Sequence, residues 1–484
     1  MRLWNWGLVL AVVLGGLGRL AADDAEDRAI AAVGKLSGTV TRDETKPGKP
    51  VVAVSLTGSD VTDASLKELA PLKELTTLDL NNAFVTSAGL KELAPLTKLT
   101  SLDLSRTFIE NAGLKELAPF TKLTRLTLWN TGVTDAGLEE IASLKGLTTL
   151  NLSENKITGA GVKKLAPLTE LTNLNLSRTE VADLKGLGSL KRLRTLDISG
   201  TPLTDSGLKE IGLLKRLTTL RLIATGVTDA GIKELEALTE LTTLDLGCGV
   251  FGPHLTDDCL SHVASLKSLT TLNLSSTTVT DAGLHELASL KNLNTLNLRH
   301  TNVTGTGLKE LAPLTKLTTL DLGETKMTDA GLKGLAQNKR LTTLNLFTTK
   351  VTDAGLKELA CLKEMTTLSL NGTKVTDVGL KELAPLTKLT TLCLIYTQVT
   401  DAGLKELAPL TKLTTLQVNY TQVTRAGAAE LNKLLPHCQI FTGEIRLRWE
   451  HRWHSRRGHL ALSDLSRGRF GWVTESWADC GRIH

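Results

Sequence analysis

Leu389 to Lys412 reads LTTLCLIYTQVTDAGLKELAPLTK, and two periodicities meet inside it. Leu389, Leu392 and Leu394 fit a short strand with inward apolar residues, whereas Leu404, Leu407 and Ala408 recur at helical spacing. Thr400 or Asp401 offers an oxygen to the first free amides of the helix, and Pro409 stops it after about two turns. A strand and a short helix therefore alternate.

The same pattern extends in both directions with a period of 24 residues. Strand starts recur from Val51, Leu75 and Leu99 through Met365 and Leu389 to Leu413, sixteen in all. A strand, a helix and a further strand in the same direction make a right-handed crossover, so the strands stack in parallel. Strands pack more closely than helices, which predicts a curved parallel sheet inside and short helices outside. Each unit buries its apolar face only against its neighbours, so the length of 484 residues does not require several compact domains.

The pattern LxxLxLxxTxVTDAGLKELAxLxx resembles the leucine-rich-repeat superfamily, close to the ribonuclease-inhibitor-like subtype seen in secreted bacterial repeat proteins. The resemblance covers about Val51 to Pro436 and implies an α/β leucine-rich-repeat solenoid. It departs at the ninth place, where the family commonly has Asn and this chain mostly has Thr, as at Thr107, Thr131, Thr301 and Thr397; Asn155 keeps the family residue. These threonines read either as an internal ladder whose hydroxyls satisfy loop backbone groups or as β-branched packing residues.

The remaining segments complete the domain reading. Residues 1–22 carry Arg2, the apolar run Leu8 to Leu14 and the small pair Ala21-Ala22 before Asp23, which fits a signal peptide; the run is too short to cross a bilayer. Residues 23–50 read as an N-terminal cap, with a helix over Asp24 to Leu36, a strand over Thr39 to Arg42 and a turn at Lys46 to Pro50. The solenoid occupies 51–436 and a C-terminal cap 437–442. Residues 443–484 form a tail that leaves the period, with eight arginines against five acidic residues among Trp449, Trp453, Trp472 and Trp477. Such a tail reads as disordered, as translated sequence without a selected role, or as a binder of an anionic polymer or membrane surface. It supplies three of the five net positive charges, so the repeat body is close to neutral and no nucleic-acid partner is expected for it. No membrane contact is expected except through the tail.

Consensus places build the scaffold, so function is sought where the repeat dictates nothing. The third, fifth, seventh and eighth places flank the buried leucines and are expected to point outward along the concave wall. Most carry Thr, Ser, Asn or Asp, but Phe347, Ile395, Tyr396 and Tyr420 fall in four neighbouring repeats and Trp129 stands with Arg106 and Arg125 in the N-terminal third. Aromatic and arginine side chains are the usual anchors of a binding surface, so these seven are the candidate partner-binding residues.

Two repeats break the period. The one beginning at Leu171 is two residues short, and the one beginning at Leu241 is four residues longer and bulges through Gly247 to His254. The bulge gathers Cys248, His254, Cys259 and His262, with the last two expected on one face of a helix. Unrelated drift, a Cys248–Cys259 disulfide and a zinc site are the three readings, and no metal or cofactor is assigned. No Gly-rich phosphate loop follows a strand and no Ser-His-Asp set is recognisable, so no catalytic residue is assigned and the chain is not read as an enzyme.

The sequence thus points to a secreted or envelope-facing scaffold that holds a protein or other macromolecule on its concave face. A structural envelope or surface-layer role, and an intracellular substrate receptor, are the alternatives. The receptor reading requires an adaptor-binding module before Val51, and none is recognised there.

Overall fold

The computed structural model describes residues 25–58, 60–249 and 255–443. The leader read at 1–22, the loop residues 250–254 with His254, and the tail from 444 lie outside the described residues. The chain divides into two units, Met1–Asn273 and Leu274–His484.

In the first unit a helix over residues 25–35 precedes the strand Thr39–Arg42, which runs antiparallel to Val51–Ser55. Glu26 ties these pieces together, because its Oε1 accepts from the Val51 N–H at 3.0 Å and from the Arg42 guanidinium at 3.4 Å. From Val51–Ser55 onward each strand pairs in parallel with the next, through Thr77–Asp79 to Thr271–Asn273. The second unit continues the pattern from Thr295–Asn297 to Thr415–Gln417, and Gln439–Phe441 adds a last parallel strand.

The strands are three residues long in the regular repeats, and register keeps like against like. Leu78, Leu102 and Leu126 lie opposite one another in the first unit, as do Leu368, Leu392 and Leu416 in the second. Leu392 and Leu394 are fully buried, together with Leu404, Leu407 and Leu410 from the return segment. Ala408, read as part of the helix's apolar face, is only half-buried, and Leu410 completes that face instead. Full burial of each such leucine contributes about 1.5–3 kcal/mol.

The return segment has two characters. Asp401–Leu404 is α-helical and Lys405–Leu407 continues as a 3-10 turn, closed by the Ala408 N–H on the Lys405 carbonyl at 3.2 Å. Thr400 caps the start, its hydroxyl accepting from the Ala402 N–H at 3.2 Å. Asp401 does not share that task. Its carboxylate reaches the following repeat, accepting from the Thr424 N–H and the Thr424 hydroxyl at 2.7 Å each. Asp377 does the same for Thr400, at 2.8 and 2.6 Å, and Asp63 for Thr86 in the first unit.

The glycine of the DAGL segment makes room for that bond. A Cβ on Gly403 would stand 2.1 Å from Asp377 Oδ1, and one on Gly379 would stand 2.3 Å from Asp353 Oδ1. The short repeat at Leu171 lacks this machinery: Asp183 accepts from its own Lys185 N–H, and the helical return shrinks to the 3-10 turn Leu187–Ser189 after Gly186, whose φ is 92°.

The threonines divide into two classes. At the ninth place the Thr397 hydroxyl donates to the Leu394 carbonyl of its own repeat at 2.6 Å, and Thr107, Thr131 and Thr301 act likewise on Leu104, Leu128 and Leu298. They satisfy loop carbonyls of their own repeat, and of these four only Thr131 also reaches the next one, its hydroxyl donating to Asn155 Oδ1 at 3.4 Å. Asn155 connects repeats, accepting from the Val133 N–H at 3.1 Å and donating to the Leu128 carbonyl at 2.6 Å. The ladder runs instead at the second place: Thr366, Thr390 and Thr414 each donate to the second-place carbonyl one repeat earlier, at 3.1, 3.0 and 3.1 Å.

Candidate binding surface

The turn that leaves each strand decides which side chains stand free. Its eighth place is left-handed throughout most of the array, with φ of 56° at Arg106, 57° at Tyr396 and 55° at Tyr420. Gly200 and Gly372 occupy the same place, as that backbone favours. Eighth-place side chains therefore project from the edge where strands end, rather than from the wall itself as expected. The fifth place also departs from expectation. Asp103 and Asn345 fold back so that Oδ1 accepts from the seventh-place N–H of Ser105 and Phe347, at 2.8 and 2.9 Å. In the second unit Asp321, Asn345, Ser369, Cys393 and Gln417 at this place are all buried.

Tyr396 and Tyr420 form a parallel stack, with ring centroids 4.6 Å apart and planes 10° apart. Tyr396 is 63% exposed and Tyr420 36%. Ile395 beside them is half-buried, its N–H donating to Asn371 Oδ1 at 2.7 Å. Phe347 belongs to a different group. Its ring lies under the Arg299 guanidinium, 5.5 Å from the centroid, and Glu324 holds Arg299 in place while also meeting His300 Nδ1 at 3.1 Å. Burial alone would raise the Glu324 carboxyl, but the hydrogen bonds from Arg299 and His300 outweigh it and hold it below the usual carboxylate range. The single patch read from Phe347 to Tyr420 is thus resolved into a tyrosine stack and an arginine–phenylalanine pair.

In the first unit Arg106 lies over Trp129 at 5.5 Å, and the Arg106 N–H donates to the Trp129 carbonyl at 2.7 Å. Arg125 is exposed on the strand Arg125–Thr127, opposite Ser101 and Thr149. A further aromatic pair escaped the sequence reading. Phe84 and Phe108 stack at 5.7 Å while 51% and 57% exposed. Their signal was the tenth place, polar in most repeats, as at Lys350, Lys374 and Gln398, but phenylalanine in two consecutive ones.

Of the set read from the bulged repeat, Cys248, Cys259 and His262 are among the described residues and His254 is not. Cys248 and Cys259 are thiols that are not bonded to one another, and Cys259 is buried with its sulfur on the Thr256 carbonyl at 3.2 Å. Burial pushes the Cys259 thiol well above its ordinary range. His262 turns to Glu236 of the preceding repeat, at 2.5 Å. Among the described residues no group of three His, Cys, Asp or Glu side chains is placed to hold a metal ion, and none of their helices is long and apolar enough to cross a membrane.

Comparison with known proteins agrees with this repeat. A leucine-rich-repeat region model matches residues 134–370, and a second leucine-rich-repeat model matches 96–118 and 364–384. No curated protein matches the sequence. Among solved structures, a leucine-rich-repeat protein of Leptospira interrogans is 25% identical over 78% of this chain and 97% of its own, with a TM-score of 0.47. An internalin of Listeria monocytogenes is 21% identical over 80% of this chain and 93% of its own, with a TM-score of 0.42. Internalin C2 of the same organism is 31% identical over 43% of this chain and 82% of its own, with a TM-score of 0.35. With a 24-residue repeat of strand and helical turn, bonded across repeats by Asp and Thr, and with both family models matched along it, the chain belongs to the leucine-rich-repeat family.

Proposed function

We propose that the protein is a non-enzymatic protein-interaction scaffold, exported to the envelope or beyond, which holds a macromolecular partner along the strand-lined face and the edge where its strands end. The observation that carries this reading is the Tyr396–Tyr420 stack. A tyrosine at a left-handed position is disfavoured by its Cβ, and Tyr396 holds that backbone with most of its ring exposed. Paired aromatics at an edge are suited to anchoring a partner. Ile395 and Phe347 extend this surface in the second unit, and Trp129, Arg106 and Arg125 make a separate candidate surface in the first. Export follows from the leader-like residues 1–22. The helical turns in the return segments favour the ribonuclease-inhibitor-like subtype.

Replacing Tyr396 and Tyr420 together by Ala tests the reading. Immobilised wild-type protein is expected to capture a defined protein from envelope extract, and the double variant to retain about a tenth of that capture or less. Its urea unfolding curve should shift by no more than about 1 kcal/mol, the worth of one exposed ring stack. Undiminished capture by the variant overturns the assignment of this surface.

A further inference from the structure

The scaffold explains neither Phe84 and Phe108 nor two arginines of the same stretch of repeats. Five arginines occupy the third to eighth places of the repeats: Arg106, Arg125, Arg178, Arg221 and Arg299. Three of them face carboxylates within the fold, Arg178 meeting Glu154 at 2.7 Å, Arg221 meeting Asp197 at 3.9 Å, and Arg299 meeting Glu324. Arg106 and Arg125 are exposed and, among the described residues, have no ion pair.

Their surroundings hold them ready for a partner. The Trp129 ring supports the Arg106 guanidinium, which reduces the freedom it would lose on binding. Only Thr107 separates Arg106 from Phe108, and Thr107 is buried with its hydroxyl on the Leu104 carbonyl. A guanidinium and an exposed ring therefore leave the same turn on either side of a fixed point. Phe84, one repeat earlier, doubles the apolar area through its stack with Phe108. The acidic side chains on the same strands are engaged locally, Asp79 with the Asn81 N–H at 2.9 Å and Asp103 with the Ser105 N–H at 2.8 Å.

We propose, resting on the binding-scaffold reading, that these three consecutive repeats of the first unit dock an extended acidic peptide segment. One or more of its carboxylates meet Arg106 and Arg125, and an adjacent aromatic or large aliphatic side chain covers the Phe84–Phe108 stack. Charge complementarity selects the carboxylate, because these are the arginines of the strand surface that the fold leaves uncompensated. Asp79 and Asp103 limit the surface to a short acidic motif, since a long polyanion would meet them.

A displayed library of random dodecapeptides, panned on the full-length protein, tests the proposal. Enriched peptides are expected to place Asp or Glu next to Phe, Tyr, Trp or Leu. Their affinity is expected to fall about tenfold or more in Arg106→Ala/Arg125→Ala and in Phe84→Ser/Phe108→Ser, to weaken with added salt, and to be unchanged in Tyr396→Ala/Tyr420→Ala. Enriched peptides without acidic residues, acidic peptides that bind the arginine variant as well as wild type, or arginine-dependent binding of an oligothymidylate would each overturn it. Peptides lost only in the tyrosine variant would refute the acidic site while upholding the scaffold. No enrichment on any variant or on wild type would count against both.

Discussion

A tyrosine in the left-handed region marks a place where backbone preference and side-chain identity disagree. Tyr396 and Tyr420 hold φ near 57° and 55°, where Gly372 sits two turns before Tyr420 without strain. Relieving that conflict gains about 1 kcal/mol, and breaking the ring stack loses a comparable amount. Tyr396→Gly should therefore leave urea-measured stability within about 1 kcal/mol of wild type while reducing partner capture. A large loss of stability with capture intact would assign the stack a structural role.

Asp321 presents the opposite case, a buried carboxyl on the strand Thr319–Asp321. Burial pushes it up to about 7, although the Gly323 N–H and the Arg299 charge pull it down. A carboxyl whose folded pKa exceeds its unfolded value of about 3.9 binds its proton more tightly when folded. It therefore destabilises the protein as pH rises from about 4 to about 7. Asp321→Asn, which keeps the shape without the charge, should be more stable than wild type at pH 8 and flatten the stability profile over that window. Equal slopes in the two proteins would refute the assignment.

At the level of the element, the DAGL segment works as a socket. Asp377 accepts two bonds from Thr400, and Gly403 leaves the space in which its carboxylate lies. Gly403→Ala should cost about 1–3 kcal/mol, because the new methyl displaces a carboxylate that then loses its partners. In an Asp377→Ala background the same change should cost less, since the carboxylate is gone and only the 2.9 Å approach to the Cα of residue 377 remains. Urea titration of the four proteins gives the coupling directly, and additive effects would contradict the socket.

This element also shows where sequence reading stops. The period, the buried leucines and the Thr400 cap are local patterns, and they were legible. Threonine stands at the second place in thirteen of the sixteen repeats and at the ninth in twelve, yet one class bonds across repeats and the other mainly within its own. The partner of an Asp lies 23 residues away in Thr, a distance that periodicity alone does not translate into a bond. The candidate surface was legible in the same partial way. Aromatic departures from consensus located Tyr396 and Tyr420, but the pairing of Phe347 with Arg299, and the edge position of the eighth place, depend on how the turn bends.

For the whole molecule, regularity narrows where function can reside. Most repeats devote their leucines to the core and their Asp, Gly and Thr to neighbouring turns, so what varies between repeats is concentrated at the strand surface and the edge where strands end. Both units carry exposed aromatics there: Phe84 and Phe108 in the first, Tyr396 and Tyr420 in the second. Hydrogen exchange with a captured partner bound tests most directly whether this edge is the binding surface. Slowed exchange is expected in the turns around Arg106, Trp129, Tyr396 and Tyr420, with the return helices such as Asp401–Leu404 unaffected. Protection confined to those return helices, with the strand-end turns unchanged, would contradict it.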